Sequence, residues 1–212
     1  MIHQLLQSTL EDPKFIIEIG AHKGTDTEAL HKNFPDTHIH SFEANPTLYN
    51  KYLKDLEDDK LTIINKAISE KNGEITFYVD ENPIGDCGAS SLLEAERNYL
   101  RTYVKKETPV QVQTLKLEDY MNDNNIDKVD LLWMDIEGYE YYVLKDIKNI
   151  LNKFQYIYLE VNFQRFRKNM VLFNTLNKFM EENNFEIKFK ESQGTPTWGE
   201  WQGNVLYINK NF

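Results

Sequence analysis

Short apolar runs alternate with amphipathic stretches along most of this chain. The apolar runs are rich in Ile, Leu, Val and Phe and are bounded by turn residues, which predicts β-strands. The predicted strands cover residues 15–19, 38–42, 61–65, 74–79, 110–114, 129–134, 156–161, 185–189 and 204–208. Helical patterns cover residues 25–33, 46–57, 138–151 and 173–183. Alternating strands and helices predict an α/β sandwich with a mostly parallel sheet.

The order of elements changes near the C-terminal end. The predicted strands 185–189 and 204–208 follow each other without a helix between them, which predicts an antiparallel hairpin. Residues 80–105 are irregular, as is typical of a functional loop or lid. Because the chain has no internal repeat and no low-complexity linker, we expect residues 1–212 to form a single domain.

Local signals predict how individual elements begin and how deeply they are buried. Thr25 is followed three residues later by Glu28, which is a capping-box pattern. Pro46 follows Asn45 and suits the first position of a helix. The almost entirely apolar run 129–134 predicts a central parallel strand that is covered on both faces.

The composition is that of an ordinary globular protein, and the net charge limits the kinds of partner that we expect it to bind. Of 212 residues, 41% are hydrophobic, and 24 basic against 34 acidic residues give a net charge of -10. Such a surface repels phosphate backbones, so we expect no duplex nucleic acid as a main partner. One cysteine, Cys87, excludes an intrachain disulfide and a cysteine-based metal cluster. The sequence shows neither a signal-peptide pattern nor an apolar stretch of membrane-spanning length, so we expect a cytoplasmic protein.

The first candidate site lies where the predicted strand 15–19 ends. Gly20 and Gly24 bracket the turn into a helix, and Glu43 follows the next strand, 23 residues after Gly20. Glycines let a backbone approach a ligand, and an acid in this place can accept hydrogen bonds from ribose hydroxyls, so the pattern predicts a nucleoside-containing cofactor. The spacing departs from G-x-G-x-x-G, which argues against a dinucleotide. The alternative is an ordinary turn with Glu43 as a capping residue.

A second candidate site follows the apolar strand 129–134. Asp135, Glu137 and Glu140 lie within six residues, at a strand end of the kind that binds ligands in open α/β sheets. Three carboxylates this close repel one another unless a proton, a cation or a ligand compensates. A helix N-terminus explains Glu140, because acids in a first turn complement the helix dipole. It explains Asp135 poorly, since Asp135 precedes the helix.

Residues near the later strand ends are candidates for substrate binding. With Asp135, Glu160 and Asn162 offer the oxygen ligands of a Mg²⁺ site, although substrate binding is the favoured interpretation. Trp198 and Trp201 lie beside polar residues in a loop, which suits a sugar ring as well as simple packing of the loop. The basic residues within 164–168 suit a phosphate or, as the favoured interpretation, a solvated helix start.

Taken in order, these segments resemble the FkbM family of S-adenosylmethionine-dependent methyltransferases. The similar segments are IEIGAHKG (17–24), FEANP (42–46), NKAI (65–68), SSL (90–92), VQTL (112–115), VDLLWMDIEGYE (129–140) and VL (143–144). The chain departs from the family pattern at Ala44, where proline is usual, and at Trp133, where lysine is usual.

The resemblance implies a Rossmann-like, seven-stranded class I methyltransferase sandwich, consistent with the predicted C-terminal antiparallel hairpin. It implies that Glu18 and the turn from Gly20 to Gly24 hold the methionine part of S-adenosyl-L-methionine, that Glu43 binds the ribose and that Ala67 lies near the adenine. The implied cofactor residues are Glu18, Gly20, Ala21, His22, Gly24, Glu43, Ala44, Ala67, Ser91 and Asp135. Family members mostly methylate hydroxyl groups of sugars and natural products.

We therefore expect an O-methyltransferase that methylates a sugar hydroxyl in a glycan, a glycoconjugate or a nucleotide sugar. Asp135 is the expected general base, with Glu137 and His22 as the other candidates. The expected substrate residues are Glu160, Asn162, Trp198 and Trp201. A divalent metal is compatible with these residues but is not favoured.

Two other classes of protein are alternatives. An NAD- or nucleotide-sugar-linked oxidoreductase on a related fold would need a Tyr-x-x-x-Lys pair, for which Tyr141 and Lys145 have the spacing. A catalytically inactive protein could keep the fold and bind the cofactor only. The intact acidic motif at 135–140 argues against this second alternative.

Overall fold

Strands and helices alternate along the chain, as the sequence predicts. The computed structural model describes residues 2–81, 88–96, 106–195 and 199–212. Its strands are β1 (Phe15–Ile19), β2 (His38–Phe42), β3 (Leu61–Ile64), β4 (Ala67–Ile68), β5 (Gly73–Asp80), β6 (Glu107–Leu115), β7 (Val129–Met134), β8 (Phe154–Asn162), β9 (Phe185–Thr195) and β10 (Gly199–Asn209). Its α-helices are α1 (Ile2–Thr9), α2 (Thr25–Asn33), α3 (Pro46–Leu48), α4 (Leu117–Asp123), α5 (Glu140–Asp146) and α6 (Phe173–Glu182).

A seven-stranded sheet forms the centre of the fold. Its order is β3-β2-β1-β7-β8-β10-β9. The first five strands in this order run parallel, whereas β10 pairs antiparallel with both β8 and β9. The arrangement confirms the predicted α/β class and the C-terminal antiparallel hairpin.

The register of the parallel strands brings their carboxyl ends to one edge. Ile19 of β1 pairs with Phe42 of β2 on one side and with Met134 of β7 on the other. Met134 in turn pairs with Leu159 of β8. Residues that follow these strands therefore meet at this edge, where ligands bind in open α/β sheets.

Apolar side chains cover both faces of the sheet. All six residues of β7 are buried, as its continuous apolar run predicts. Leu132 and Met134 belong to one large core cluster, whereas Leu131 and Trp133 belong to another. Successive side chains of a strand point to opposite faces, so β7 anchors two separate core layers.

A second, three-stranded sheet lies beside the first and was not predicted as a separate unit. Its order is β4-β6-β5, with β4 parallel and β5 antiparallel to β6. β4 contains only Ala67 and Ile68, too short a run to produce a periodic signal. This sheet supplies one wall of the site described below.

Three predicted helix features are wrong in detail. The capping box at Thr25 does not form, because Gly24 occupies the N-cap in a left-handed conformation and Thr25 already lies within α2. The predicted helix 46–57 is α3 followed by a π-helical turn, in which the amide of Lys54 donates to the carbonyl of Tyr49. The predicted helix 138–151 begins at Glu140, because Gly138 has a φ of 99° that no right-handed helix contains.

The C-terminal hairpin is longer than predicted because its glycines lie within strands. A Cβ on Gly194 would lie 2.6 Å from the carbonyl oxygen of Gly199, and one on Gly203 would lie 2.2 Å from that of Glu191. These glycines permit close approach of the paired backbones, a role that the sequence pattern does not distinguish from a loop. Within the described ranges, no helix has the length and apolar character needed to cross a bilayer.

Candidate active site

A cavity opens at the carboxyl edge of β1, β2 and β7, against the small sheet. It encloses about 560 Å³ of empty space, including its open mouth, which is within the range of small-molecule sites. The residues that line it are Ile19, Gly20, His22, Phe42, Glu43, Ala44, Leu48, Lys66, Ala67, Ile68, Phe77, Gly88, Ser90, Leu92, Asp135, Ile136 and Tyr139. Most of them are apolar or glycine, and the polar members include Glu43, Lys66 and Asp135.

The turn after β1 packs directly against the backbone of Asp135. The amides of Gly20 and Ala21 donate to the carbonyl of Phe42, at 2.9 and 3.0 Å. Gly20 has a φ of 98°, and a Cβ there would lie 1.9 Å from the carbonyl oxygen of Asp135. Only glycine therefore allows β1, β2 and β7 to converge at this point.

Glu18 is a fully buried acid beneath this turn. Its Oε2 accepts hydrogen bonds from Thr27 Oγ1 and Ser41 Oγ, both at 2.6 Å. Its Oε1 is buried and has no hydrogen-bond partner within the described residues. Burial raises the pKa of Glu18 to about 7. Glu18 thus offers one unused acceptor next to the turn after β1.

Glu43 connects the turns after β1 and β2 and lines the cavity. Its Oε2 accepts from the amide of His22 at 2.7 Å, and its Oε1 accepts from the amide of Asn45 at 2.6 Å. Burial raises the pKa of Glu43 to about 7. The cap of α3 is Asn45, whose Oδ1 accepts from the amide of Thr47 at 2.9 Å, so Glu43 is not the capping residue.

Four carboxylates meet where β7 and β8 end. One carboxylate oxygen from each of Asp135, Glu137 and Glu160 lies within 4.8 Å of the others. Glu140 lies behind them, and its Oε1 accepts from the amides of Ile136 and Gly138 at 3.0 and 3.3 Å. Glu137 has a φ of 56°, a sparsely populated conformation that is more frequent at functional sites than elsewhere.

These carboxylates differ in how readily they ionise. Asp135 is reached by solvent, but the surrounding protein desolvates it and Asp26 repels it, which raises the pKa of Asp135 to about 6. Burial raises the pKa of Glu137 to about 8, with added repulsion from Asp135. Burial also raises the pKa of Glu160 well above its ordinary value. Asp135 therefore has the lowest pKa among Asp135, Glu137 and Glu140, and it is the most exposed residue of the three.

Amide side chains hold Glu160 in place. Asn162 Nδ2 donates to Glu160 Oε1 at 3.3 Å, and Gln202 Nε2 donates to Glu160 Oε2. Asp135, Glu137 and Glu160 are oxygen donors that could hold a divalent cation. Each Glu160 oxygen accepts one hydrogen bond within the protein and keeps a further lone pair for a ligand.

The Methyltransferase FkbM domain matches residues 18–187, most of the chain. The chain belongs to the FkbM methyltransferase family. It is 29% identical over 170 residues to the 2-O-methyltransferase NoeI of Sinorhizobium fredii, covering 77% of this chain and 70% of NoeI. It is 22% identical over 161 residues to the hexuronic acid methyltransferase AglP of Haloferax volcanii, covering 75% of this chain and 60% of AglP. The chain spans less than two thirds of AglP.

A solved methyltransferase has the same fold. The structure of M. capricolum TrmK, in complex with S-adenosyl-homocysteine, superposes with a TM-score of 0.56 at 11% identity. The alignment covers 99% of this chain and 68% of TrmK. Together with the family assignment, this confirms a Rossmann-like class I methyltransferase fold and identifies the chain as a methyltransferase.

Six of the ten implied cofactor residues of this FkbM protein line the cavity: Gly20, His22, Glu43, Ala44, Ala67 and Asp135. The other four are Glu18, Ala21, Gly24 and Ser91. Ser90 lines the cavity in place of Ser91, whose Oγ donates to the carbonyl of Glu137 at 3.0 Å. Reasoning from the sequence gave no role to Tyr139, although it lies in the segment 129–140, or to Phe77 in the predicted strand 74–79.

The structure brings two of the four expected substrate residues together. Glu160 belongs to the group of carboxylates, and Asn162 lies beside it, as described above. Trp201 is half-buried on β10, and its carbonyl accepts from the amide of Phe163 at 2.9 Å. Trp198 and Cys87 lie outside the described residues.

Tyr141, the candidate tyrosine of the oxidoreductase alternative, packs edge-on against Phe179, with ring centroids 5.5 Å apart. A dehydrogenase tyrosine would line the cofactor cavity, whereas Tyr141 does not line the described cavity.

The raised pKa values predict an unusual dependence of stability on pH. Glu18 and Glu43 have pKa values of about 7 in the folded protein, against an ordinary value of 4.5. Between these values the folded protein binds more protons than the unfolded chain, so its free energy of unfolding falls as pH rises and the loss is complete above pH 7. We expect the melting temperature of the ligand-free protein to fall by about 5 °C or more between pH 5 and pH 8.

Differential scanning calorimetry at several pH values measures this dependence. A variant with both Glu18→Gln and Glu43→Gln should show a flatter profile, because neither side chain then titrates and the remaining slope comes from the raised pKa values of Asp135, Glu137 and Glu160. A melting temperature that rises steadily from pH 5 to pH 8 in the unaltered protein would show that these acids are not desolvated as described.

Proposed function

We propose that this FkbM protein is an S-adenosylmethionine-dependent O-methyltransferase that acts on a hydroxyl group of a sugar. The observation that carries the proposal is the shared cavity, in which Gly20, Glu43 and Ala67 lie on one side and Asp135 lies at the end of β7. The similarity to NoeI, a 2-O-methyltransferase, and to AglP, a hexuronic acid methyltransferase, supports a carbohydrate acceptor. Residues 1–212 would act as one domain, in the cytoplasm.

The residues around the cavity fit this cofactor. Glu43 would accept hydrogen bonds from the ribose hydroxyls, and the apolar side chains of Phe42 and Ile68 suit an adenine ring. The unused Oε1 of Glu18 suits the methionine ammonium group, directly or through a water. The absence of a side chain at Gly20 leaves the backbone accessible to the ligand. When bound, the cofactor supplies a methyl carbon on a positively charged sulfur.

Asp135 is proposed as the proton acceptor for the sugar hydroxyl. In the proposed reaction the methyl group would pass from the cofactor sulfur to the hydroxyl oxygen, and an Asp135 oxygen would accept the hydroxyl proton. With a pKa of about 6, Asp135 is ionised at neutral pH and available for this role. Glu137, with a pKa of about 8, is more often protonated there, and His22 donates its backbone amide to Glu43 within the cofactor turn.

The acceptor sugar would lie beside Asp135, over the carboxyl end of β8 and the adjoining amino end of β10. Glu160 and Asn162 are proposed to hydrogen-bond its hydroxyls, and the aromatic side chains of Trp201 and Trp198 are proposed to pack against the ring. A divalent metal is not favoured, because no spacing of ligand residues in the sequence demands one. Methyl transfer should therefore survive incubation with EDTA.

A direct test incubates the protein with S-adenosylmethionine and a panel of acceptors. The panel holds neutral sugars, uronic acids, nucleotide sugars and, for comparison, phenols and RNA. Mass spectrometry should detect a methylated sugar together with S-adenosylhomocysteine. Methylation confined to the phenols or to RNA would overturn the proposed acceptor class, while leaving the cofactor assignment intact.

A Glu43→Gln variant tests the proposed ribose contact. We expect affinity for S-adenosylmethionine to fall by about 1–3 kcal/mol, because a charge-assisted hydrogen bond to the ribose is lost. The side-chain oxygen of glutamine can still accept a hydrogen bond from one backbone amide. Isothermal titration calorimetry measures the change. Glu57→Gln is the matched control, because Glu57 Oε1 accepts from the amide of Ile63 at 3.0 Å and lies outside the cavity lining. Equal affinities of all three proteins would show that another group binds the ribose.

A further inference from the structure

A buried ion pair lies next to the cavity and takes no part in the proposed chemistry. Arg167 has no exposed surface, and its Nη1 donates to Glu107 Oε1 on β6 at 2.8 Å. Both side chains are almost completely enclosed, at 1% and 4% exposure. The sequence places Arg167 in a basic segment that suits a phosphate or a solvated helix start, but the structure turns this side chain inward. Arg167 therefore has a role inside the protein.

The ion pair binds three backbone groups of residues 88–96, here called the wall segment. Arg167 Nη1 donates to the carbonyl of Leu93 at 2.7 Å, and Arg167 Nη2 donates to the carbonyl of Ala89. Glu107 Oε2 accepts from the amide of Ala95 at 2.9 Å. Both partners of the ion pair thus contact the same short piece of chain, from two sides.

The wall segment closes one side of the cavity. Gly88, Ser90 and Leu92 are among the cavity-lining residues. The next residue, Ser91, exchanges backbone hydrogen bonds with Tyr78 of β5 and donates through Oγ to the carbonyl of Glu137. The wall segment therefore contacts both the small sheet and the turn that carries the acidic group. It contains no helix or long strand of its own, and backbone hydrogen bonds also join it to residues 166–168: the amide of Glu96 donates to the carbonyl of Phe166 and the amide of Lys168 to the carbonyl of Glu94, both at 2.8 Å.

We infer that Arg167 and Glu107 are positioning residues, which hold the wall segment against the cavity and thereby determine how tightly the cofactor binds. This inference rests on the proposed function for the identity of the ligand. A buried ion pair adds little net stability compared with apolar side chains of similar size, so stability alone does not account for it. The guanidinium plane instead supplies directed hydrogen bonds to backbone carbonyls, which an apolar side chain cannot do.

The test uses a double variant, Arg167→Met with Glu107→Leu. Because both charges of the pair are removed together, neither Arg167 nor Glu107 is left buried without its partner, and the protein should stay folded. Hydrogen exchange followed by mass spectrometry should show amides of the wall segment exchanging about tenfold faster or more. Calorimetry should show affinity for S-adenosylhomocysteine weakened by about fivefold or more. Exchange in the strands of the large sheet should be unchanged.

Two further variants make the result specific. Arg167→Lys keeps the charge but loses the planar fork, so its affinity should lie between those of the unaltered protein and the double variant; it also serves if the double variant does not fold. Arg165→Met is the matched control: it removes an exposed cation from the same basic segment, and none of the contacts of the wall segment described above involves this side chain. It should change neither measurement.

The inference is overturned if Arg167→Lys and the double variant bind S-adenosylhomocysteine as the unaltered protein does, or if exchange of the wall segment stays the same. Failure of the proposed function gives a different pattern. In that case the unaltered protein itself does not bind S-adenosylhomocysteine, while faster exchange in the double variant still shows that the ion pair positions the wall segment.

Discussion

An Asp135→Asn variant should lose about 100- to 10,000-fold of its turnover, the usual contribution of a positioned general base. Asparagine keeps the size of the side chain and removes its ability to accept a proton. The backbone of Asp135 contacts the β1 turn independently of the side chain, with its amide donating to the carbonyl of Ile19 at 3.0 Å. The fold and the affinity for S-adenosylmethionine should therefore change little.

The matched control for this substitution is Asp130→Asn on the same strand. Asp130 lies near the opposite end of β7, where its Oδ2 accepts from the amides of Lys14 and Phe15 at 2.7 and 3.0 Å. It should retain wild-type turnover, measured as S-adenosylhomocysteine release with a sugar acceptor. A Glu137→Gln variant should lose less than Asp135→Asn. If Asp135→Asn turns over normally, the base is another group, and Glu137 and His22 are the next to test.

A Gly20→Ala variant should lose most of its affinity for the cofactor and part of its stability. The new Cβ would lie 1.9 Å from the carbonyl oxygen of Asp135 and 2.9 Å from its carbonyl carbon, and both atoms belong to backbone that cannot move aside freely. The positive φ adds further strain. Overpacking and an unfavourable backbone conformation together cost about 2–5 kcal/mol. For a protein of this size we expect the melting temperature to fall by about 5–15 °C.

A Gly73→Ala variant separates the effect of the steric clash at Gly20 from the effect of a positive φ. Gly73 has a φ of 123°, but a Cβ there meets no atom within 4 Å. This variant should show a smaller loss of melting temperature and unchanged cofactor affinity, measured by calorimetry. If Gly20→Ala and Gly73→Ala behave alike, the close approach of the β1 turn to Asp135 is not what shapes the cofactor site.

The elements that form the cofactor edge could be predicted from the sequence. The bounds of β1, β2 and β7 agree with the prediction, because each is a short apolar run ended by polar residues or glycine. The same reasoning places Gly20, Glu43 and Asp135 at adjoining strand ends, and all three line one cavity. Because parallel strands bring their carboxyl ends to one edge of a sheet, the local sequence pattern was sufficient to predict that these three residues lie together.

Long-range contacts could not be predicted in the same way. Arg167 lies in a basic segment, and its burial depends on Glu107, which is 60 residues earlier in the chain. The contact of Gln202 with Glu160 depends on how β10 inserts between β8 and β9. The start of α5 was misplaced because a positive φ at Gly138 is set by its surroundings. These features depend on packing partners that no local window of sequence contains.

The most direct test of the account is a titration of purified protein with S-adenosylmethionine and, in separate experiments, with NAD and UDP-glucose. The account predicts micromolar binding of S-adenosylmethionine and no measurable heat from the other two. Binding of NAD or UDP-glucose in place of S-adenosylmethionine would contradict it, because the cavity at Gly20, Glu43 and Asp135 would then serve a different cofactor.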